Sequence, residues 1–186
     1  MAAGHASAQH RLTRPVFFIG FMGCGKTSVS RYLAETAGAE SIDADEYLES
    51  REGRAIVDIF AEDGEEHFRD LETECLKDLA DGGPRLIGCG GGVVKRPENV
   101  AIMHDKGFVV YLEVSAQAAS RRIPNADTRP LFENLETARK MLSERSALYE
   151  RAADVRVPTV GRAVPEISEE VRAILVERGI LAAEPR

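Results

Sequence analysis

Eight residues near the start of the chain, Gly20-Phe21-Met22-Gly23-Cys24-Gly25-Lys26-Thr27, hold three glycines, a lysine and a hydroxyl at fixed spacing. They satisfy G-x-x-x-x-G-K-[ST] at every fixed position, a turn whose backbone N–H groups converge on phosphate oxygens. A Cβ at the glycine positions would block the turn or the approach of the ligand. Lys26 supplies a point charge for the β- and γ-phosphates, and the Thr27 hydroxyl is a ligand for Mg²⁺. The helix expected to begin near Lys26 adds unpaired N–H groups and a dipole that favours anions. A nucleoside triphosphate is therefore the expected ligand, with Gly23, Cys24, Gly25, Lys26, Thr27 and Ser28 around it. Cys24 lies where a thiolate can be favoured, but it reads first as a small filler residue of the turn.

Further along, "SIDADEYLE" places Asp43 and Asp45 two residues apart. Read as an extended segment, they point to the same side. A carboxylate pair there suits two tasks, holding Mg²⁺ through water and orienting or deprotonating an attacking hydroxyl. A helix N-cap accounts for one of the two as well. Arg69 has Glu65 at i−4 and Glu72 at i+3, which on its own reads as a solvated ion-pair ladder. The run "GCGGGVV" reads either as a flexible turn or as backbone that a ligand approaches closely. In "ETARKMLSERSALYERAA", Ala138, Leu142, Arg145 and Tyr149 share one helical stripe, so Arg145 faces inward and needs an anion.

The elements that must position these groups follow from the hydrophobic pattern. Short apolar runs at 16–19, 41–42, 86–89, 108–113 and 155–157 alternate with amphipathic stretches, which predicts parallel strands with crossover helices. The last helix is expected over about 165–178. The chain has 186 residues, 44% of them apolar, enough for one domain with a substantial core. A net charge of −7 argues against a nucleic-acid or anionic-membrane surface. Three cysteines, Cys24, Cys75 and Cys89, make no paired framework and fit a reducing cytoplasm. Scattered histidines give no zinc-ligand spacing. Residues 1–14 lack an apolar core and read as a disordered extension. The segment "RRIPNADTRPLFEN", 121–134, has two prolines and three arginines and reads as a mobile flap. No aspartate follows the apolar strand that runs into "CGGGVV", which turns the reading from large motor and switch proteins to a small kinase.

In order along the chain, "GFMGCGKT", "DADEYLE", "GRAIVDIFAEDGEEHFRDLE", "GCGGGVV", "TRPLF" and "ERSALYE" resemble the shikimate kinase family, over nearly everything from Val16 to about Leu175. The resemblance implies an α/β fold: a three-layer α/β/α P-loop kinase domain over 15–178 with a five-stranded parallel sheet. It also implies a helical substrate-binding region at about 44–80 and a lid at about 121–134, followed by a tail at 179–186. It implies phosphorylation of shikimate by ATP with Mg²⁺. Asp45 matches the carboxylate on the accepting hydroxyl, and Asp43, with Thr27, matches the metal side. Arg69 and Arg145 match the clamp on the substrate carboxylate, with Gly91 and Gly92 lining the pocket, Glu72 fixing Arg69, and Ile56, Phe60 and Phe68 as apolar wall. Lys26 and the lid residue Arg129 match catalytic cations. Arg122 and Arg162 align with arginines on the nucleotide side. A monomer without nucleic-acid or membrane partners is expected. The competing readings are a kinase for gluconate or another polyol, and a kinase-shaped binding protein without turnover.

Overall fold

The computed structural model describes residues 10–122 and 135–183. Five strands form a parallel sheet in the order β3-β4-β2-β5-β6: β2 (Val16–Ile19), β3 (Ser41–Asp43), β4 (Leu86–Gly88), β5 (Phe108–Glu113) and β6 (Val155–Pro158). All four residues of β2 are fully buried. That is why "VFFI" is apolar without alternation: a central parallel strand has helices on both faces and no solvent side. Its register sets Phe17 beside Ile87 of β4 and Val109 of β5. The ends of β2, β3 and β4 then lie side by side, where ligands of open parallel sheets bind.

Helix α1 (Lys26–Ala37) leaves β2 through the glycine turn and buries Val29, Leu33, Ala34 and Ala37. It ends where Gly38 takes a left-handed conformation, φ 69°, with its N–H on the Ala34 carbonyl. α8 (Val164–Glu177) packs along α1 with Ile167, Val171 and Leu175 buried. α2 (Ala44–Glu52), α3 (Ile56–Glu62) and α4 (Gly64–Asp81) build the region between β3 and β4. They have a small core of their own, with Leu48, Ile59, Phe68, Leu71 and Cys75 buried together. α5 (Pro97–Lys106), α6 (Ala116–Arg122) and α7 (Leu135–Ala152) complete the layers. α7 buries Ala138, Arg145 and Tyr149, as its inward stripe predicts, with Met141 taking a buried place and Leu142 only half-buried.

Two boundaries differ from expectation. His10–Leu12 is a strand, β1, paired antiparallel with β7 (Leu181–Ala183). The expected extension 1–14 and tail 179–186 therefore contribute a two-stranded ribbon. Its cause is Leu12, Ile180 and Leu181, each at most 4% exposed and joined to the main core. So few residues carry no readable period, which is why sequence alone passed over them. The expected lid falls largely outside the described residues; its first two positions, Arg121 and Arg122, close α6.

Candidate active site

The glycine turn is built as its composition demands. Gly20 has φ 144°, and a Cβ there would meet the Leu112 carbonyl oxygen at 2.5 Å and Cys24 Sγ at 2.9 Å. Lys26 Nζ folds over the turn, donating to the carbonyls of Gly20 (2.9 Å) and Phe21 (3.3 Å). Cys24 is fully buried beneath it with Sγ 3.7 Å from that ammonium. It fills the turn and presents no surface to a reagent. Thr27 Oγ1 donates to Asp43 Oδ2 at 2.6 Å. Arg122 reaches the same turn from α6, donating to the carbonyls of Thr159 (2.9 Å) and Gly23 (3.4 Å).

Asp43 and Asp45 do not share an extended strand. Asp43 ends β3 and caps α2, its Oδ1 accepting from the N–H groups of Asp45 (3.0 Å) and Glu46 (3.4 Å). Asp45 sits in the first helical turn. The N-cap preference for aspartate decides the local structure, and the helix turn still delivers both carboxylates to one cleft. That cleft has about 170 Å³ and is lined by Gly23, Gly25, Lys26, Thr27 and Ser28 on one side and Asp43, Asp45, Cys89 and Gly91 on the other. Burial raises the Cys89 thiol pKa, so it lines the cleft as a neutral group.

Around the glycine triplet the polar side chains converge. Arg69 is 6% exposed. Its Nη1 donates to Glu72 Oε2 at 2.7 Å, while Nε and Nη2 donate to Glu65 Oε1 at 3.3 and 3.2 Å. The guanidinium also lies 5.0 Å from the centre of the Phe68 ring, which itself packs 4.6 Å from Phe60. Glu72 is buried, and its Oε1 has no hydrogen-bond partner among the described residues. Burial holds its carboxyl above the ordinary range against the pull of Arg69 and Arg145. A Cβ on Gly90 would meet Glu72 Oε1 at 2.8 Å and Asp45 Oδ1 at 2.9 Å, and one on Gly92 would collide with the Arg69 guanidinium. None of the three has a positive φ. The triplet is glycine so that charged side chains can lie against its backbone. The Gly91 carbonyl oxygen accepts from Arg145 Nη1 at 3.4 Å and from the Tyr149 hydroxyl.

The arrangement is thus a phosphate-binding turn and two carboxylates around one cleft, beside a glycine triplet against which two buried guanidinium groups lie. The family model for shikimate kinase matches residues 22–176. The chain belongs to the shikimate kinase family. A shikimate kinase of Dehalococcoides mccartyi is 40% identical over 158 residues, covering 84% of this chain and 90% of its own length. Among solved structures, a shikimate kinase from Acinetobacter baumannii in complex with shikimate matches with a TM-score of 0.85 at 29% identity, over 89% of this chain and 94% of that one. A gluconokinase from Sinorhizobium meliloti shares the fold alone, with a TM-score of 0.56 at 18% identity over 90% and 94% of the two chains. As a member of the shikimate kinase family, the chain is an ATP-dependent phosphotransferase with an alcohol acceptor.

Of the residues expected on the nucleotide side, Gly23, Gly25, Lys26, Thr27 and Ser28 line the cleft, Cys24 is buried beneath the turn, and Arg122 borders it. Arg162 donates to the Pro158 carbonyl at 3.0 Å and pairs with Glu170 at 2.6 Å. Arg129 lies outside the described residues. On the acceptor side Asp45, Arg69, Glu72, Arg145 and the triplet are brought together, with Phe60 and Phe68 behind Arg69 and Ile56 half-buried beside them. Arg69 and Glu72 are buried, not the solvated ladder their spacing alone indicates. Two supporting residues had no assigned role in the sequence reading. Tyr149 stacks on Tyr111 at 5.2 Å and holds the Gly91 carbonyl. Asn99, fully buried, donates to the Val93 carbonyl at 3.0 Å just beyond the triplet. A hydroxyl on the inward stripe of α7 was the available signal for Tyr149; Asn99 offered none.

Proposed function

We propose that the chain transfers the γ-phosphoryl group of ATP to the 3-hydroxyl of shikimate, giving shikimate 3-phosphate and ADP. One observation carries the reading: Asp45, Arg69 with Glu72, and Arg145 all meet the Gly90–Gly92 turn, from three separate helices, across a cleft from the phosphate turn. Planar guanidinium groups bind a carboxylate through parallel N–H bonds, so Arg69 and Arg145 hold the acid end of the acceptor. Of the five N–H groups of Arg69, three already point at Glu65 and Glu72. The remaining one on Nη1 and one on Nη2 are left for that carboxylate. Asp45 lines the cleft with Lys26 and Thr27 and takes the proton of the attacking hydroxyl.

Phosphoryl transfer needs alignment and charge neutralisation more than covalent chemistry. Lys26 leaves the carbonyls of its own turn for the phosphate oxygens, a task the family resemblance also gives to Arg129, which lies outside the described residues. Thr27 and Asp43 are hard oxygen donors at the mouth of the turn, which fits Mg²⁺, an ion that prefers oxygen and keeps several of its waters. When bound there the ion supplies charge neutralisation on the β- and γ-phosphates. Among the described residues no helix is long and apolar enough to cross a membrane. All three cysteines are unpaired and buried, which supports a reducing cytoplasmic setting. A monomer is the working assembly.

A coupled assay of ADP release against shikimate, gluconate and quinate tests the reading. Shikimate should support turnover in the ordinary range and the other two should not; turnover on gluconate alone would replace the assignment with a polyol kinase, and turnover on none would remove it. Asp45→Asn should lower kcat by about 10²- to 10⁴-fold with KM for both substrates little changed. Wild-type kcat in that variant would rule out Asp45 as the base.

A further inference from the structure

Immediately after the glycine triplet, a single 3₁₀ turn (Val93–Lys95) brings Lys95 back over the N-terminal part of α4. Its Nζ donates to Glu65 Oε1 at 2.6 Å. The same oxygen accepts from Arg69, and Arg69 in turn holds Glu72. Four charges of alternating sign therefore run inward from the surface: Lys95 and Glu65 at about 40% side-chain exposure, then Arg69 and Glu72 at 7% each. Only the inner two border the acceptor pocket. The pairing is also strong enough to lower the Glu65 carboxyl below its ordinary value, with Lys95 as the leading cause.

Charge balance gives this chain a purpose. The two guanidinium groups at the triplet, Arg69 and Arg145, share their surroundings with the carboxylates of Glu65, Glu72 and Asp45. An acceptor carboxylate is a further anion entering this group. Of the other described cations nearby, Lys26 lines the cleft with Asp45, and Arg96 is committed to Glu66 and Asp70 at 2.7 Å each. Lys95 is the cation that faces Glu65 directly. By holding Glu65 in place it keeps Nε and one N–H of Nη2 of Arg69 occupied, which fixes how the guanidinium lies against the triplet.

We propose that Lys95 is a positioning residue for the carboxylated acceptor, acting through Glu65 on the orientation and net charge around Arg69. This rests on the functional reading above and adds to it a residue that touches neither substrate. The effect belongs to acceptor binding alone, because the phosphate turn lies on the far side of the triplet.

The test is steady-state kinetics and nucleotide-free titration calorimetry on the full chain, comparing wild type with Lys95→Ala and Lys95→Arg. Lys95→Ala should raise both the shikimate KM and its Kd by about two- to five-fold, the range of a partly exposed charge pair. kcat and the ATP KM should stay at wild-type values. Lys95→Arg, which keeps the charge and reach, should restore acceptor binding, and the Lys95→Ala defect should shrink at high salt. A purely structural role would instead lower the melting temperature and leave the acceptor Kd alone. An unchanged Kd in Lys95→Ala, an equal rise in the ATP KM, or a Lys95→Arg variant as weak as Lys95→Ala would overturn the proposal. Should wild type fail to bind shikimate, the functional reading falls and this inference with it; normal wild-type turnover beside an unaffected Lys95→Ala overturns the inference alone.

Discussion

Adding one methyl group at Gly92 separates the role of Arg69 from the stability of the fold. Gly92 sits at φ −101° and ψ 0°, a conformation open to alanine, so the backbone carries no strain from the change. The new carbon would lie 2.5 Å from Arg69 Nη2 and 2.6 Å from Cζ. An unstrained contact needs about 3.5 Å, so the guanidinium must retreat by about 1 Å. The obstacle is the end of a long side chain, so the domain itself is little perturbed. The group displaced, however, is the one that meets the acceptor carboxylate, and a shift of that size costs on the order of 10²-fold when geometry matters. Residual pairing through Arg145 softens this. The shikimate KM of Gly92→Ala is therefore expected to rise by about 10- to 100-fold, or about 1.4–2.7 kcal/mol, with the ATP KM unchanged. Gly91→Ala is the internal control, because a Cβ there meets nothing closer than 3.7 Å. The coupled ADP-release assay with each substrate varied in turn decides the matter. A Gly92→Ala enzyme with wild-type acceptor KM, or a Gly91→Ala enzyme equally impaired, would refute the reasoning.

Two further outcomes are expected. Leu12 is 4% exposed and ties the terminal ribbon to the core; Leu12→Ala should cost about 2–4 kcal/mol, a Tm fall on the order of 5–15 °C for a domain of this size, with kcat unchanged. A thermal melt indistinguishable from wild type would show that the ribbon carries no weight. Burial raises the Glu72 carboxyl above its ordinary 4.5, so the native state holds a proton that the unfolded chain releases. Stability from this group is present in full below pH 4.5 and is lost as pH rises through the raised value. Measured by calorimetry, the stability of wild type relative to Glu72→Gln should therefore decline with rising pH across that window; a flat or rising difference would contradict it.

The parts of this enzyme legible in its sequence are those where one local rule acts alone. The glycine turn is such a case, since Gly20 has no alternative to glycine and Lys26 follows at fixed distance. The five strands are another, because runs buried on both faces leave no ambiguity of period. Asp43 and Asp45 were readable as a pair but not in conformation: an aspartate that caps a helix looks, in a string of letters, like one that ends a strand. Arg69 was harder still. Its i−4 and i+3 carboxylates mimic a surface ladder, and only the approach of the glycine triplet, 21 to 23 residues downstream, buries it. Such burial is a tertiary fact. The family resemblance supplied it; composition and spacing did not. Tyr149 and Asn99 support carbonyls of distant loops, and no local pattern announces that task.

The ribbon of β1 and β7 has a practical consequence. His10 lies opposite Ala183, so both ends of the described chain emerge together. They do so beside the start of β2, whereas the phosphate turn follows the opposite end of that strand. A label or support attached at His10 or Ala183 would thus sit at the end of the sheet away from the phosphate turn. For the same reason these two residues could be joined by a short hairpin turn and the chain reopened elsewhere without crossing the catalytic cleft.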